Sequence, residues 1–282
     1  MAKTEGVRVI ESVATAVQTV MSRFLKPVGK CPNCDDGQLM VWKSPNRDGE
    51  LRCPPTCPSC GYAERLAKGT TLTDVDATEL AAKNAAKQYL HQNSIVSNES
   101  VFGYTLKGYQ PTTPERGQAK LFAAKMADRI VAGATMHATF VGGPGRGKTH
   151  LAMAICYNVL ARTNYQKKIA FIDWREFLDT VKTGMHDNAK DIQAFGDSLI
   201  NEFANADIVV LDDLGSERGS EYDKALVDRF WRVREDRTVI TTTNLSIPEL
   251  AESYSDRMIS RMQKHSTDAI YGMTGIDDYR RG

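Results

Sequence analysis

Between Val141 and Leu151 the chain reads V-G-G-P-G-R-G-K-T-H-L. Gly142, four further residues and then Gly147-Lys148-Thr149 fit the pattern G-x-x-x-x-G-K-[ST]. A polyphosphate needs several backbone N–H groups converging on it, and residues without a Cβ let the chain wrap that closely. Lys148 is expected to reach the outer phosphates, and the Thr149 hydroxyl to hold Mg²⁺. The expected nucleotide contacts are therefore Gly142, Gly143, Pro144, Gly145, Arg146, Gly147, Lys148, Thr149 and His150. The flanks agree with this reading. Residues 138–141 (A-T-F-V) form a short apolar run suited to a buried strand, and residues 150–160 are rich in apolar helix formers. Strand, glycine loop and helix in that order aim a helix N-terminus at the anion.

A phosphate loop needs a carboxylate beside the metal. Residues 206–211 (A-D-I-V-V-L) are an apolar run that ends in Asp212-Asp213-Leu214-Gly215. A buried strand there would deliver Asp212 to the Mg²⁺ shell, and Asp213 could orient and deprotonate an attacking water. Two more strands are expected over 168–174 and 237–243, with a helix over 175–185 after the first. Asn244 follows the second, at the strand end where open α/β sheets place their sites, and its amide could fix the lytic water. Asp256 to Met262 (D-R-M-I-S-R-M) sets two arginines four apart on one helical face. Either could act as an arginine finger on the ATP of a neighbouring subunit, Arg261 as first choice and Arg257 as second. A last short strand is expected over 269–272.

The first 70 residues are different in kind. Residues 7–24 carry apolar side chains at 7, 10, 13, 14, 17, 20, 21 and 24, a helical spacing. That stripe suits packing on its own domain or docking on a partner protein. Five of the six cysteines then fall between Cys31 and Cys60. Cys31-Pro-Asn-Cys34 and Cys57-Pro-Ser-Cys60 each supply two thiolates from one tight turn, as a tetrahedral structural Zn²⁺ requires. The intervening stretch reads as two strands around a turn. Cys53, in C-P-P-T-C, is an alternative ligand. So small a segment needs the metal to fold, and a structural zinc contributes about 10–16 kcal/mol in finger peptides.

Composition limits the partners. A formal net charge of +1 leaves room only for a local nucleic-acid patch, and no run of about 18 apolar residues predicts a membrane span. The start lacks a signal-peptide core, so a cytoplasmic protein with reduced thiols is expected. The organisation expected is an N-terminal helix plus zinc-ribbon-like partner-binding domain over 1–70, a linker helix over 71–99, and an ATPase domain over 100–282.

From about residue 88 to 281 the motifs resemble the bacterial replicative helicase loaders, the DnaC/DnaI group of AAA+ ATPases. The matching pieces are G-G-P-G-R-G-K-T-H-L-A-M-A-I-C, V-V-L-D-D-L-G, S-E-Y-D-K-A-L-V-D-R, T-T-T-N-L, S-D-R-M-I-S-R-M and the late D-D-Y-R. The resemblance implies an α/β AAA+ P-loop ATPase with a five-stranded parallel sheet, preceded by a small zinc-binding domain. It implies a central position for the Ala138 strand, between the Thr238 and Ala269 strands. It further implies ATP/ADP and Mg²⁺ as ligands, self-association through the ATPase domain with Arg261 acting on the adjacent subunit, and single-stranded DNA contact. Trp174, Lys182 and nearby residues after the second strand are the candidates for that contact, by stacking and charge, with Trp174 equally suited to buried packing. The N-terminal region would bind the replicative helicase hexamer and open its ring. The IstB group of transposition helper ATPases carries nearly the same motifs; there the partners would be a transposase and double-stranded DNA.

Overall fold

The computed structural model describes residues 23–35, 37–46, 49, 51–63, 74–183, 189–217 and 219–279. Most of the amphipathic stretch 7–24 therefore lies outside the described residues. The chain divides into two compact units, Met1–Val75 and Asp76–Gly282.

In the first unit β1 (Leu25–Lys30) pairs antiparallel with β2 (Gln38–Trp42), with a register shift between Pro27 and Gly29. The core beneath them is minimal. Leu39, Cys31 and Cys57 are buried, with Cys34 and Tyr62 packed against them.

The second unit begins with α1 (Asp74–Gln92), the helix expected as a linker. It buries Ala86 and Leu90 in this unit's own core. Next come α2 (Pro114–Val131), β3 (His137–Val141), α3 (Lys148–Arg162), β4 (Ile169–Asp173), α4 (Trp174–Thr183), α5 (Ala189–Phe203) and β5 (Ile208–Leu214). After these follow α6 (Glu221–Arg234), β6 (Thr238–Thr243), α7 (Ile247–Ser253), α8 (Asp256–Gln263) and β7 (Ile270–Gly272).

The strands form one parallel sheet in the order β4-β5-β6-β3-β7. β3 does lie between β6 and β7, but the middle strand is β6, not the Ala138 strand. The sequence of β6, T-V-I-T-T-T, is β-branched throughout and buried along its whole length, as a strand covered on both faces must be.

Alternation along the strands divides the core in two. Ile208 and Val210 point to a cluster with Leu90, Met126, Phe140, Leu151 and Ile155. Val209 and Leu211 point to the opposite one, with Trp174, Phe177, Phe230, Trp231 and Met258. Helices thus cover both faces. Local sequence fixes where they start: Thr113 caps α2 ahead of Pro114, Ser220 and Asp223 form a capping box at α6, and Ser246 and Glu249 another at α7.

Two side-chain tethers join layers. The Arg234 guanidinium, wholly buried, donates to the carbonyls of Phe203, Ala206, Asp207 and Thr238, tying the end of α5 to the starts of β5 and β6. Lys182 of α4 pairs at 2.7 Å with the buried Asp223 of α6. Among the described residues no helix is long and apolar enough to cross a membrane.

Candidate nucleotide site and cysteine cluster

The C-terminal ends of β3, β5 and β6 converge on one site. The loop after β3 turns into α3 through Gly147, whose φ of +88° is left-handed, a conformation glycine adopts without penalty. Gly145 is left-handed as well, and a Cβ there would come within 1.7 Å of the Asp278 carboxylate. A Cβ on Gly147 would come within 2.8 Å of the Tyr109 ring. Glycine is therefore favoured by φ at both places, and at Gly147 by the space beside the Tyr109 ring as well.

Lys148 and Thr149 open α3. The Lys148 ammonium donates to the carbonyls of Gly142 (2.7 Å) and Gly143 (2.9 Å) and to Asn244 Oδ1 (2.7 Å). Asn244 follows β6, and its amide NH₂ donates to Asp213 Oδ1 at 2.8 Å. The Thr149 hydroxyl meets both oxygens of Asp212, at 3.0 and 3.1 Å. Lys148, Thr149, Asp212, Asp213 and Asn244 are thus brought together.

Asp212 is buried, and burial pushes its carboxyl up to about 6 against the lowering effect of the Thr242 and Thr149 hydroxyls. A nearby cation would offset that burial and favour the charged carboxylate, and a metal ion supplies such a charge. Asp213 has φ +57°, and its backbone N–H donates to Thr242 Oγ1. This turn sends the neighbouring carboxylates Asp212 and Asp213 to different partners.

Thr242 was not foreseen. Its hydroxyl donates to Asp212 Oδ1 at 2.6 Å while accepting from Asp213. The threonine run was legible as a strand, but its register against β5 was not.

Two cavities flank the loop. One of about 330 Å³ is lined by Lys148, Thr149, Asp212, Asp213 and Asn244, and on the far side by Ser97 and Asp173. A second, of about 350 Å³, is lined by Tyr104, Tyr109, Gln110, His150 and Tyr279. In it the His150 ring stacks on Tyr104, with centroids 4.7 Å apart and planes 7° apart. The first gathers Lys148 with the Asp212 and Asp213 carboxylates and suits phosphates and metal; the second offers flat rings suited to a base. Apart from His150, no residue of this aromatic group was anticipated.

The arginines of α8 differ. Arg261 is tied within its own chain, to Asp228 at 3.0 Å and to Glu235 at 3.5 Å. Arg257 is exposed and makes no ion pair among the described residues. The two candidates for single-stranded DNA contact do not present themselves for it. Trp174 is fully buried, stacked on Phe177 with Phe230 at its edge, so no base can reach it. Lys182 is engaged by Asp223.

In the N-terminal unit the Sγ atoms of Cys31, Cys34, Cys57 and Cys60 all lie within 4.8 Å of one another. Two of the separations are 3.6 Å (Cys31–Cys60) and 3.7 Å (Cys34–Cys57). A zinc ion with sulfurs at about 2.3 Å in a tetrahedron needs edges of about 3.8 Å, so the donor set fits the metal. A hydrogen bond from the Tyr62 backbone pulls Cys60 down to about 6, whereas hydrogen bonding with Cys60 pushes Cys34 up to about 12. Four bare thiolates this close repel one another, and a divalent cation is what lets them coexist. Cys53 is no part of the cluster.

Known proteins share this architecture. The replicative helicase loader DnaC of Escherichia coli K12 is 29% identical over 143 residues, covering 50% of this chain and 55% of the relative. The uncharacterized protein YdaV of the same strain is 28% identical over 162 residues, covering 56% and 61%. The chain thus spans between half and two thirds of the length of these curated relatives.

A crystal structure of the DnaC helicase loader superimposes with a TM-score of 0.51 at 25% identity, covering 64% of this chain and 100% of that one. A DnaI crystal structure shares the fold, with a TM-score of 0.50 at 20% identity and coverage of 66% and 96%. The family model for IstB-like ATP binding proteins matches residues 120–266, from α2 through α8 and more than half the chain. With an AAA+ P-loop fold and these residues gathered at the phosphate loop, the chain belongs to the family of IstB-like ATP binding proteins.

Proposed function

We propose that this protein is an ATP-driven loader of a replicative DNA helicase: it binds the hexamer, opens its ring and helps place it on single-stranded DNA. The observation that carries the reading is the similarity to the DnaC loader in sequence and in fold. ATP lies with its base against Tyr104 and His150 and its phosphates along residues 142–149. Thr149 and Asp212 would hold magnesium, which would supply positive charge to the phosphates. Lys148 neutralises the outer phosphates. Asn244, between Lys148 and Asp213, orients the attacking water, and Asp213 takes its proton. Copies associate through the ATPase unit, and an arginine of α8 reaches the neighbour's γ-phosphate. Arg257 is free to do so, whereas Arg261 must first release Asp228 and Glu235. The zinc-holding N-terminal unit is the helicase contact.

The family match favours a second reading, a transposition helper acting with a transposase on double-stranded DNA. Size-exclusion chromatography of the full chain with a purified replicative helicase hexamer separates the two. The loader reading predicts co-elution that is lost when Cys31 and Cys34 are both replaced by Ser. Absence of a complex, with ATP turnover stimulated by double-stranded rather than single-stranded DNA, would favour the helper.

A further inference from the structure

The segment after β7 returns to the phosphate loop and is held there from two sides. On the loop side the Tyr279 backbone N–H donates to the Gly145 carbonyl at 2.9 Å, and the Met273 N–H to that of Val141 at 2.7 Å. Arg146 reaches back to the Met273 carbonyl at 2.6 Å. On the other side Arg116 of α2 donates to the Asp277 carbonyl at 3.2 Å and sets its guanidinium 4.4 Å from the centre of the Tyr279 ring. Between these anchors the Asp278 carboxylate lies against Gly145, so close that a single added carbon would be 1.7 Å from its oxygen. Tyr279, one residue on, lines the cavity that holds the Tyr104–His150 stack.

A phosphate loop is shaped to receive negative oxygen atoms through converging backbone donors and a helix N-terminus. The carboxylate of Asp278 brings negative oxygens to the middle of that loop. A nucleotide's phosphates carry the same charge into the same neighbourhood, and like charges at short range in a partly dry site repel. Either the carboxylate leaves or the phosphates bind less tightly.

Resting on the nucleotide-site reading above, we propose that Asp278 is a built-in competitor for the phosphates, so that nucleotide entry expels the segment 277–279 from the loop. The segment thereby reports occupancy. With the carboxylate seated, Tyr279 is pinned between Gly145 and Arg116; with phosphates seated, the Tyr279–Gly145 hydrogen bond opens and the ring leaves the base cavity's rim. The ligand that operates it is a nucleoside di- or triphosphate. A nucleoside without phosphates leaves the carboxylate in place.

The test is titration of the full-length protein, and of its Asp278→Ala and Asp278→Asn variants, with a fluorescent ATP analogue and with adenosine. Both variants are expected to bind the ATP analogue about tenfold more tightly than wild type, equivalent to about 1.4 kcal/mol, with adenosine binding unchanged. Hydrogen exchange supplies the second readout: the Tyr279 amide of the wild type should lose protection when ATP is added and keep it with adenosine. Unchanged or weakened binding of the ATP analogue by both variants overturns the proposal, as does a Tyr279 amide equally protected with and without ATP. Wild-type protein that binds no ATP analogue at all overturns the nucleotide-site reading, and this inference with it.

Discussion

Asn244 accepts from Lys148 and donates to Asp213, so a single amide couples the Lys148 ammonium to the Asp213 carboxylate. Replacing it removes a positioned dipole but none of the groups that grip the phosphates. Asn244→Ala is therefore expected to keep nucleotide affinity within a few-fold while lowering turnover by about 10²–10³-fold, the usual cost of one lost stabilising donor. Fluorescent-nucleotide titration alongside a phosphate-release assay checks this; full turnover in the variant would remove Asn244 from the chemistry. At this scale the sequence was informative where local geometry dictates residue type. Gly145, Gly147, Lys148 and Thr149 are neighbours in the chain, Asp212 follows the apolar run of β5, and Asn244 follows the β-branched run of β6. Thr242 stayed hidden because its contact with Asp212 depends on how β6 is set against β5. Trp174 suited either stacking on a base or packing in the core, and its helix decides for the core, with Phe177, Leu178 and Val181.

At the scale of elements, helix periodicity correctly put Arg257 and Arg261 four apart on α8 but could not say what faces them. α6 supplies Asp228, and its C-cap Glu235, opposite Arg261, while Arg257 is left exposed. The two substitutions should separate. Arg261→Ala should cost about 0.5–1 kcal/mol, given partly solvated ion pairs, and lower the melting temperature by about 2 °C. Arg257→Ala should leave the melting temperature alone and cut turnover by about 10³-fold in assembled protein only. Thermal unfolding and concentration-dependent ATPase assays distinguish them; equal turnover in wild type and Arg257→Ala at high concentration would remove Arg257 as a finger. The strands were legible to within a few residues, because buried parallel strands are short apolar runs. Their order was not, since β6 enters the sheet between β5 and β3, which are not neighbours in sequence.

For the whole molecule, the division into two units follows from two ways of stabilising a chain. Asp76–Gly282 has a two-sided sheet with large apolar clusters on each face. Among its described residues the first unit has a few buried side chains around four cysteines, too few to offset the entropy of ordering them without metal. Stripping zinc from the full chain with a strong chelator at neutral pH should therefore unfold only the first unit. Helicase co-elution should be lost, while ATP affinity and the main melting transition stay unchanged. Calorimetry with and without chelator reads this directly, and a main transition that falls with zinc removal would mean the units share their stability. Every role proposed for the second unit depends on a triphosphate seated at residues 142–149. The most direct measurement is Mg·ATP binding by wild type and Lys148→Ala, with zinc content measured on the same samples. The account predicts binding by the wild type, a loss of about 10²-fold or more in the variant, and equal zinc in both. Wild-type protein that binds no ATP, or a Lys148→Ala variant that binds it as tightly, would contradict it.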